Sequence, residues 1–188
     1  MNDTKKIVLA VQGRTRFQGI PRVNKLLTLP KGLADQIATS VAGSMNAILL
    51  ACLTEGVSVL LEQTKTFGPL LVDARKDITQ KKGFVRRKKT SFYSGEGYPL
   101  AIEGRLPDLF EVKRISFIVP LFLLDFVESF VPQETNKTPL YIVLISLGFQ
   151  SFVSRRKTVI LTAEHLQTMM HNVVASEMPL RSRTTHVS

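Results

Sequence analysis

The stretch LPKGLADQIATSVAGSMNAILLAC, residues 29–52, decides how the chain is read. Leu33, Ile37, Val41, Met45, Ile48 and Cys52 recur at spacings of four, four, four, three and four, which puts them on one face of a long early helix. Gly56 is a natural stop for it. Beyond that glycine, VSVLLEQTKTF and PLLVDA read as short β-type runs separated by the turn signal Gly68-Pro69. Upstream, Lys6 to Gln12 reads as a first strand, and GRTRFQGIPRVNK as a basic loop between that strand and the helix.

Further along, RKDITQKKGFVRRKKTSFYSGEGY is polar, basic and bounded by Gly95 and Gly97. The chain then returns to apolar patterning. LAIEG and VKRISFIV read as strands, and Pro120 suits the first turn of a helix that carries Phe122, Phe126 and Phe130 at four-residue spacing before Pro132. LYIVLISL is continuously apolar, as expected of a strand buried on both faces, and FQSFV, SRRK and TVILT suggest a hairpin. A closing helix starts near Thr162 with a stripe of Leu166, Met169, Met170, Val173 and Val174, and Pro179 stops it. Packing of that helix explains the stripe better than a Met-rich interaction surface does. The expected fold is α+β: one compact domain over 1–178 with a mostly antiparallel sheet, an early long helix and a C-terminal amphipathic helix. A mobile basic loop is expected at about 74–97 and a flexible tail at 179–188. No internal repeat with a period of 20 to 50 residues is visible.

With 188 residues and 44% hydrophobic content, a folded core needs neither metal nor disulfide, and Cys52 alone cannot staple a secreted domain. The apolar run Ile7 to Val11 is too short and polar for a secretory signal. Glu55 interrupts the segment 45–61, and Pro120 and Asp125 interrupt 115–127, so both read as core elements rather than bilayer spans. Without a secretory signal, Asn2-Asp3-Thr4 and Asn136-Lys137-Thr138 are chance matches to the glycosylation pattern.

The unusual quantity is charge: 25 Lys and Arg against 15 Asp and Glu give +10. A basic chain of this size tends to meet a polyanion, either nucleic acid or an anionic membrane surface. Between residues 75 and 89 stand Arg75, Lys76, Lys81, Lys82, Arg86, Arg87, Lys88 and Lys89 against Asp77, a local charge of +7. Such an arm could neutralise phosphates of RNA or lipid with a steep salt dependence, or be a solvated loop without a partner. Lys81-Lys82 and Arg86 to Lys89 also match the pattern of a nuclear import signal. Phe84, Phe92, Tyr93 and Tyr98 interleave with the cations and could stack on bases, enter a lipid interface or anchor the loop. A second basic group comprises Arg14, Arg16, Arg22, Lys25 and Lys31, and a third Arg155, Arg156 and Lys157, whose simplest reading is ordinary surface charge.

Catalytic chemistry finds little support. His165 and His171 lie six apart on the last helix, off the four-residue spacing of a helical metal pair, so neither a metal nor another cofactor is expected. Asp125 and Glu128 could aim two carboxylates at one place, but the polar face of an amphipathic helix explains them better. Cys52 reads as a buried structural thiol, and the segment 95–97 lacks the parts of a phosphate loop. Tyr141 to Leu144 matches a short tyrosine sorting motif inside the most buried-looking strand.

The order of elements across roughly Lys5 to Ser176, with the stretch Tyr-Pro-Leu-Ala-Ile-Glu-Gly-Arg at 98–105, resembles the matrix proteins of negative-strand RNA viruses. The small matrix proteins of plant-infecting rhabdoviruses are nearest in size and charge. The Pro-Pro-x-Tyr signal of animal rhabdovirus matrix proteins is absent, and no individual residue transfers. The resemblance implies a non-enzymatic structural protein of the virion and host cytoplasm. It would form a homo-oligomer, condense a viral nucleocapsid and attach peripherally to an anionic membrane. A nucleic-acid-binding accessory protein, of the viral movement or silencing-suppressor type, is the alternative.

Overall fold

A computed structural model describes residues 6–68, 70–73, 98–103 and 111–176. The basic segment 75–89, the expected loop at 74–97 that contains it and the tail at 179–188 lie outside the described residues.

The α+β class, with a long early helix and an amphipathic closing helix, is the architecture found. The elements run β1 (Leu9–Gln12), β2 (Arg22–Pro30), α1 (Lys31–Ser40), β3 (Val41–Ala42), α2 (Met45–Phe67) and β4 (Leu70–Asp73), then β5 (Leu100–Glu103), β6 (Val112–Pro120), α3 (Leu121–Glu128), α4 (Thr138–Ser154), β7 (Val159–Thr162) and α5 (Ala163–Ala175). Antiparallel pairing is found in the β2 and β6 ribbon. β1 runs parallel to both β3 and β7, and β4 runs parallel to β5.

Several local expectations are corrected. The single early helix is two, because Gly43 takes a left-handed φ of 125° and its Cα lies against the Val11 backbone, where a Cβ would collide with the carbonyl. That turn lets β3 pair with β1 and restarts the chain as α2. Ser44 caps the new helix by accepting the Ala47 amide at 3.2 Å. Gly56 does not stop it: α2 continues through VSVLLEQTKTF to Phe67, and Gly68, with φ 81°, ends it by donating its amide to the Thr64 carbonyl. The hydroxyls of Thr54, Thr64 and Thr66 bond back to carbonyls four residues earlier, so these β-branched residues are satisfied within the helix.

LYIVLISL is likewise helical. It forms α4 together with FQSFV, with Pro139 in the first turn, and no hairpin follows. A continuous apolar run fits a helix buried all round as well as a strand buried on both faces, and here the helix is found. Arg155 to Lys157 turn the chain from α4 into β7. Finally, residues 22–25 belong to strand β2 rather than to the expected basic loop.

The core is built on α2 and α4. Both are buried along most of their length, with α5 packing Leu166, Met170 and Val173 into the same cluster. Val174 packs against that cluster as well, so four of the five stripe residues are core contacts, and Met169 is not among them. By length and composition α2 could cross a bilayer, but 72% of its most apolar window is buried inside the fold, as in a core helix.

The fold also contains a duplication. In each half a strand (β1, β5) precedes a nine-residue strand ending in a buried proline (β2, β6), a short helix (α1, α3), a long helix (α2, α4) and a last strand (β4, β7). The repeat distance is about 90 residues, beyond the 20 to 50 residue periods of solenoid repeats. Pro30-x-x-Leu33-Ala34-Asp35-x-Ile37 and Pro120-x-x-Leu123-Leu124-Asp125-x-Val127 mark it in the sequence. The halves interlock with pseudo-two-fold logic. The first strand of each pairs with the last strand of the other, and β2 meets β6 with Arg22 opposite Pro120 and Pro30 opposite Val112.

Candidate functional site

The cations available to an outside partner separate from those the fold uses itself. Arg14 and Arg16 are exposed in the loop after β1, above buried Phe17, and Gln167 of α5 donates to the Arg16 carbonyl at 2.7 Å. Arg22 is exposed at the start of β2. These three make no ion pair among the described residues. Lys25, by contrast, is half-buried and paired with Glu128, and Lys31 pairs with Glu111 at 2.9 Å. Lys113 pairs with Asp35. Arg155 pairs with Glu55, a 7% exposed carboxylate that also accepts from the Ser151 hydroxyl at 2.6 Å. Arg114, Arg156 and Lys157 are exposed without an ion pair among the described residues.

Arg14 and Arg16 of the second basic group do not meet Arg156 and Lys157 of the third. Strands β1 and β7 run parallel, Leu9 beside Val159 and Gln12 beside Thr162. Arg14 and Arg16 follow the end of β1 while Arg156 and Lys157 precede the start of β7, so these two pairs of cations sit at opposite ends of the strands. The eight cations Arg75, Lys76, Lys81, Lys82, Arg86, Arg87, Lys88 and Lys89 are outside the described residues, as are Phe84, Phe92 and Tyr93.

A polar cluster that sequence reasoning missed lies where α3, α4 and β2 converge. Glu128 at the end of α3 accepts from Lys25 of β2 and, at 2.7 Å, from the Tyr141 hydroxyl of α4. The Lys25 ammonium is 3.3 Å from that hydroxyl and 5.0 Å from the ring centroid. Burial tends to raise the Glu128 carboxyl, but the bonds from Lys25 and Tyr141 and the charges of Lys25 and Lys137 outweigh it and hold the group below its usual range. Burial, reinforced by the bond to Glu128 and its charge, pushes the Tyr141 phenol well above its ordinary value. Lys137 donates to the Pro132 carbonyl at 2.7 Å; burial lowers its ammonium, Glu128 opposes that and neighbouring Lys25 adds to it. A cavity of about 120 Å³ opens beside the cluster, lined by Lys25, Thr28, Asn136, Lys137, Thr138 and Tyr141 together with Leu26 and Leu27.

The spacing of Asp125 and Glu128 does not aim two carboxylates at one place, since Asp125 is exposed while Glu128 turns to Lys25. His165 and His171 are exposed, His171 stacking on Phe122 at 4.5 Å, and no cluster of metal-ligating side chains occurs among the described residues. Cys52 is fully buried, and its thiol is pushed up to about 12 by burial and then by Glu55. The cluster escapes sequence reading because its members come from residues 25, 128, 137 and 141, and the apolar run around Tyr141 reads as a strand. The one signal is Asn136 and Lys137 in a short polar break between two apolar segments. No protein-family model, curated protein or solved structure matches this chain.

Proposed function

We propose that the chain is a non-enzymatic structural and assembly protein of the viral matrix type, which self-associates and joins ribonucleoprotein to an anionic membrane surface. The observation that supports this reading is the division of its cations. Lys25, Lys31, Lys113 and Arg155 are neutralised by carboxylates of the fold, while Arg14, Arg16, Arg22, Arg114, Arg156 and Lys157 face solvent without one among the described residues. To these the segment 75–89 adds seven of the ten net charges. Charge left over after the fold has paired what it needs is available to phosphates, and binding then gains from counterion release. This reading places the protein in the virion and the host cytoplasm, attached peripherally to membrane.

The test pairs two measurements on the full chain. Sedimentation with phosphatidylserine vesicles and sedimentation alone at low salt are expected to show co-pelleting and oligomers. Absence of both overturns the matrix reading. RNA affinity over a salt series, in wild type and with Arg86 to Lys89 changed to Ala, is expected to give a shallower slope in the variant. A salt-dependent RNA affinity without vesicle binding or oligomers would instead favour the nucleic-acid-binding accessory protein.

A further inference from the structure

The two halves of the fold differ where the long helix meets the outer edge of the ribbon. In one half Asn46 of α2 clamps β6: its Nδ2 donates to the Ile118 carbonyl at 3.2 Å and its Oδ1 accepts the Ile118 amide at 2.7 Å. Counting back from Gly56 and Gly148, the place of Asn46 is taken in α4 by Thr138. Counting back from Pro30 and Pro120, the place of Ile118 is taken in β2 by Thr28. The Lys31 amide bonds to Glu111 and the Leu121 amide to Pro21. Odd-numbered residues therefore bond across this antiparallel ladder, and even-numbered ones, Thr28 and Ile118 included, turn their amides outward. The Thr138 side chain is shorter and has no amide, and no group among the described residues takes the outward amide of Thr28. The half-open cavity stands in place of the clamp.

We propose that this notch is a binding site for a small tetrahedral oxyanion, the phosphate group of orthophosphate or of a small phosphomonoester. Its lining is rich in donors. Lys25 spends its ammonium protons on Glu128 and Tyr141 with one remaining, and Lys137 spends one on Pro132 with two remaining. The Thr28 amide and the Thr138 hydroxyl add two more donors, and Asn136, whose Oδ1 accepts the Thr138 amide at 3.0 Å, has its Nδ2 free. Two ammonium groups share the site with one carboxylate, and that carboxylate already accepts from Lys25 and Tyr141. Water could fill the space but would bring no counter-charge. At about 120 Å³ the cavity has room for one such ion and is far below the 300 to 1,000 Å³ of pockets for larger ligands.

This site is independent of the surface arginines, so its failure would leave the polyanion reading standing. Calorimetric titration of orthophosphate into the full chain at fixed ionic strength is expected to show one saturable site. Lys137→Met is expected to weaken it about tenfold or more. Thr138→Asn, which supplies the missing clamp, is expected to abolish it without lowering the thermal midpoint. The variant with Arg86 to Lys89 changed to Ala is expected to bind as wild type does. Glycerol 3-phosphate in a parallel titration separates the two sources: tighter binding than orthophosphate assigns a monoester, weaker binding the free ion. The proposal is overturned by the lack of a saturable site, by binding that survives both Lys137→Met and Thr138→Asn, or by binding lost in the 86–89 variant.

Discussion

Gly56 and Gly148 meet backbone to backbone where α2 crosses α4. A Cβ on Gly56 would run into the carbonyl of Leu144, and one on Gly148 into that of Cys52. Each obstacle is the residue four before the opposite glycine, so the contact is reciprocal and marks the pseudo-two-fold centre of the duplicated fold. Neither glycine is needed for an unusual backbone angle, since both sit inside regular helix; what the contact needs is the missing side chain.

Gly56→Ala and Gly148→Ala are each expected to lower stability by about 1–3 kcal/mol or more, since the added methyl meets backbone that cannot move aside without separating the central helices. Urea unfolding followed by circular dichroism measures this. The double variant is expected to cost less than the two single costs together, because the first methyl already forces the helices apart. Strict additivity would mean that the helices do not meet at these two residues.

Glu128 carries a pH signature. Its folded carboxyl lies below the value in the unfolded chain, about 4.3 for an ordinary glutamate. The stability it contributes is therefore fully present above that value and is lost as pH falls through the folded value. The stability difference between wild type and Glu128→Gln is expected to be largest near neutrality and to shrink on acidification below about pH 4. Urea midpoints measured for both proteins at each pH check this. A difference that stays constant to the lowest pH would show that Lys25 and Tyr141 do not hold the carboxylate.

Cys52 reports global opening. Fully buried on α2 with its thiol raised to about 12, it is expected to resist Ellman's reagent at about pH 8 in the native protein and to react readily in denaturing urea. Rapid modification in native buffer would place the thiol at a surface and contradict the packing of α2 against α4.

Elements with clear periodicity are legible in the sequence. β1, β6, α3 and α5 fall close to where alternation, Pro120 and the stripe from Leu166 to Val174 put them. Misreadings cluster on the two central helices, for a common reason. LYIVLISL lies in a helix buried almost all round and has no polar face, VSVLL is too short to show a period of 3.6, and in both the β-branched residues point towards strands. Gly56 reads as a stop because its cost in an isolated helix is real. The crossing with α4 makes the same residue an asset, since only a residue without a side chain lets the two backbones approach.

The duplication leaves a trace in the paired Pro-x-x-Leu-x-Asp segments, but two short matches about 90 residues apart carry little weight until strand pairing and the glycine contact join them. The candidate oxyanion site has no sequence signature at all, being an absence in one half of what Asn46 does in the other.

Composition and patterning alone establish a basic α+β chain with one buried thiol and its charge concentrated between residues 75 and 89, because charge and local periodicity are properties of neighbours in the chain. Which cations remain free, which glycine breaks a helix and which joins two, and where a polar notch opens are decided only by tertiary structure. Each depends on residues far apart in the chain meeting at one point: Gly43 with Val11, Lys25 with Glu128, Gly56 with Gly148, Arg155 with Glu55.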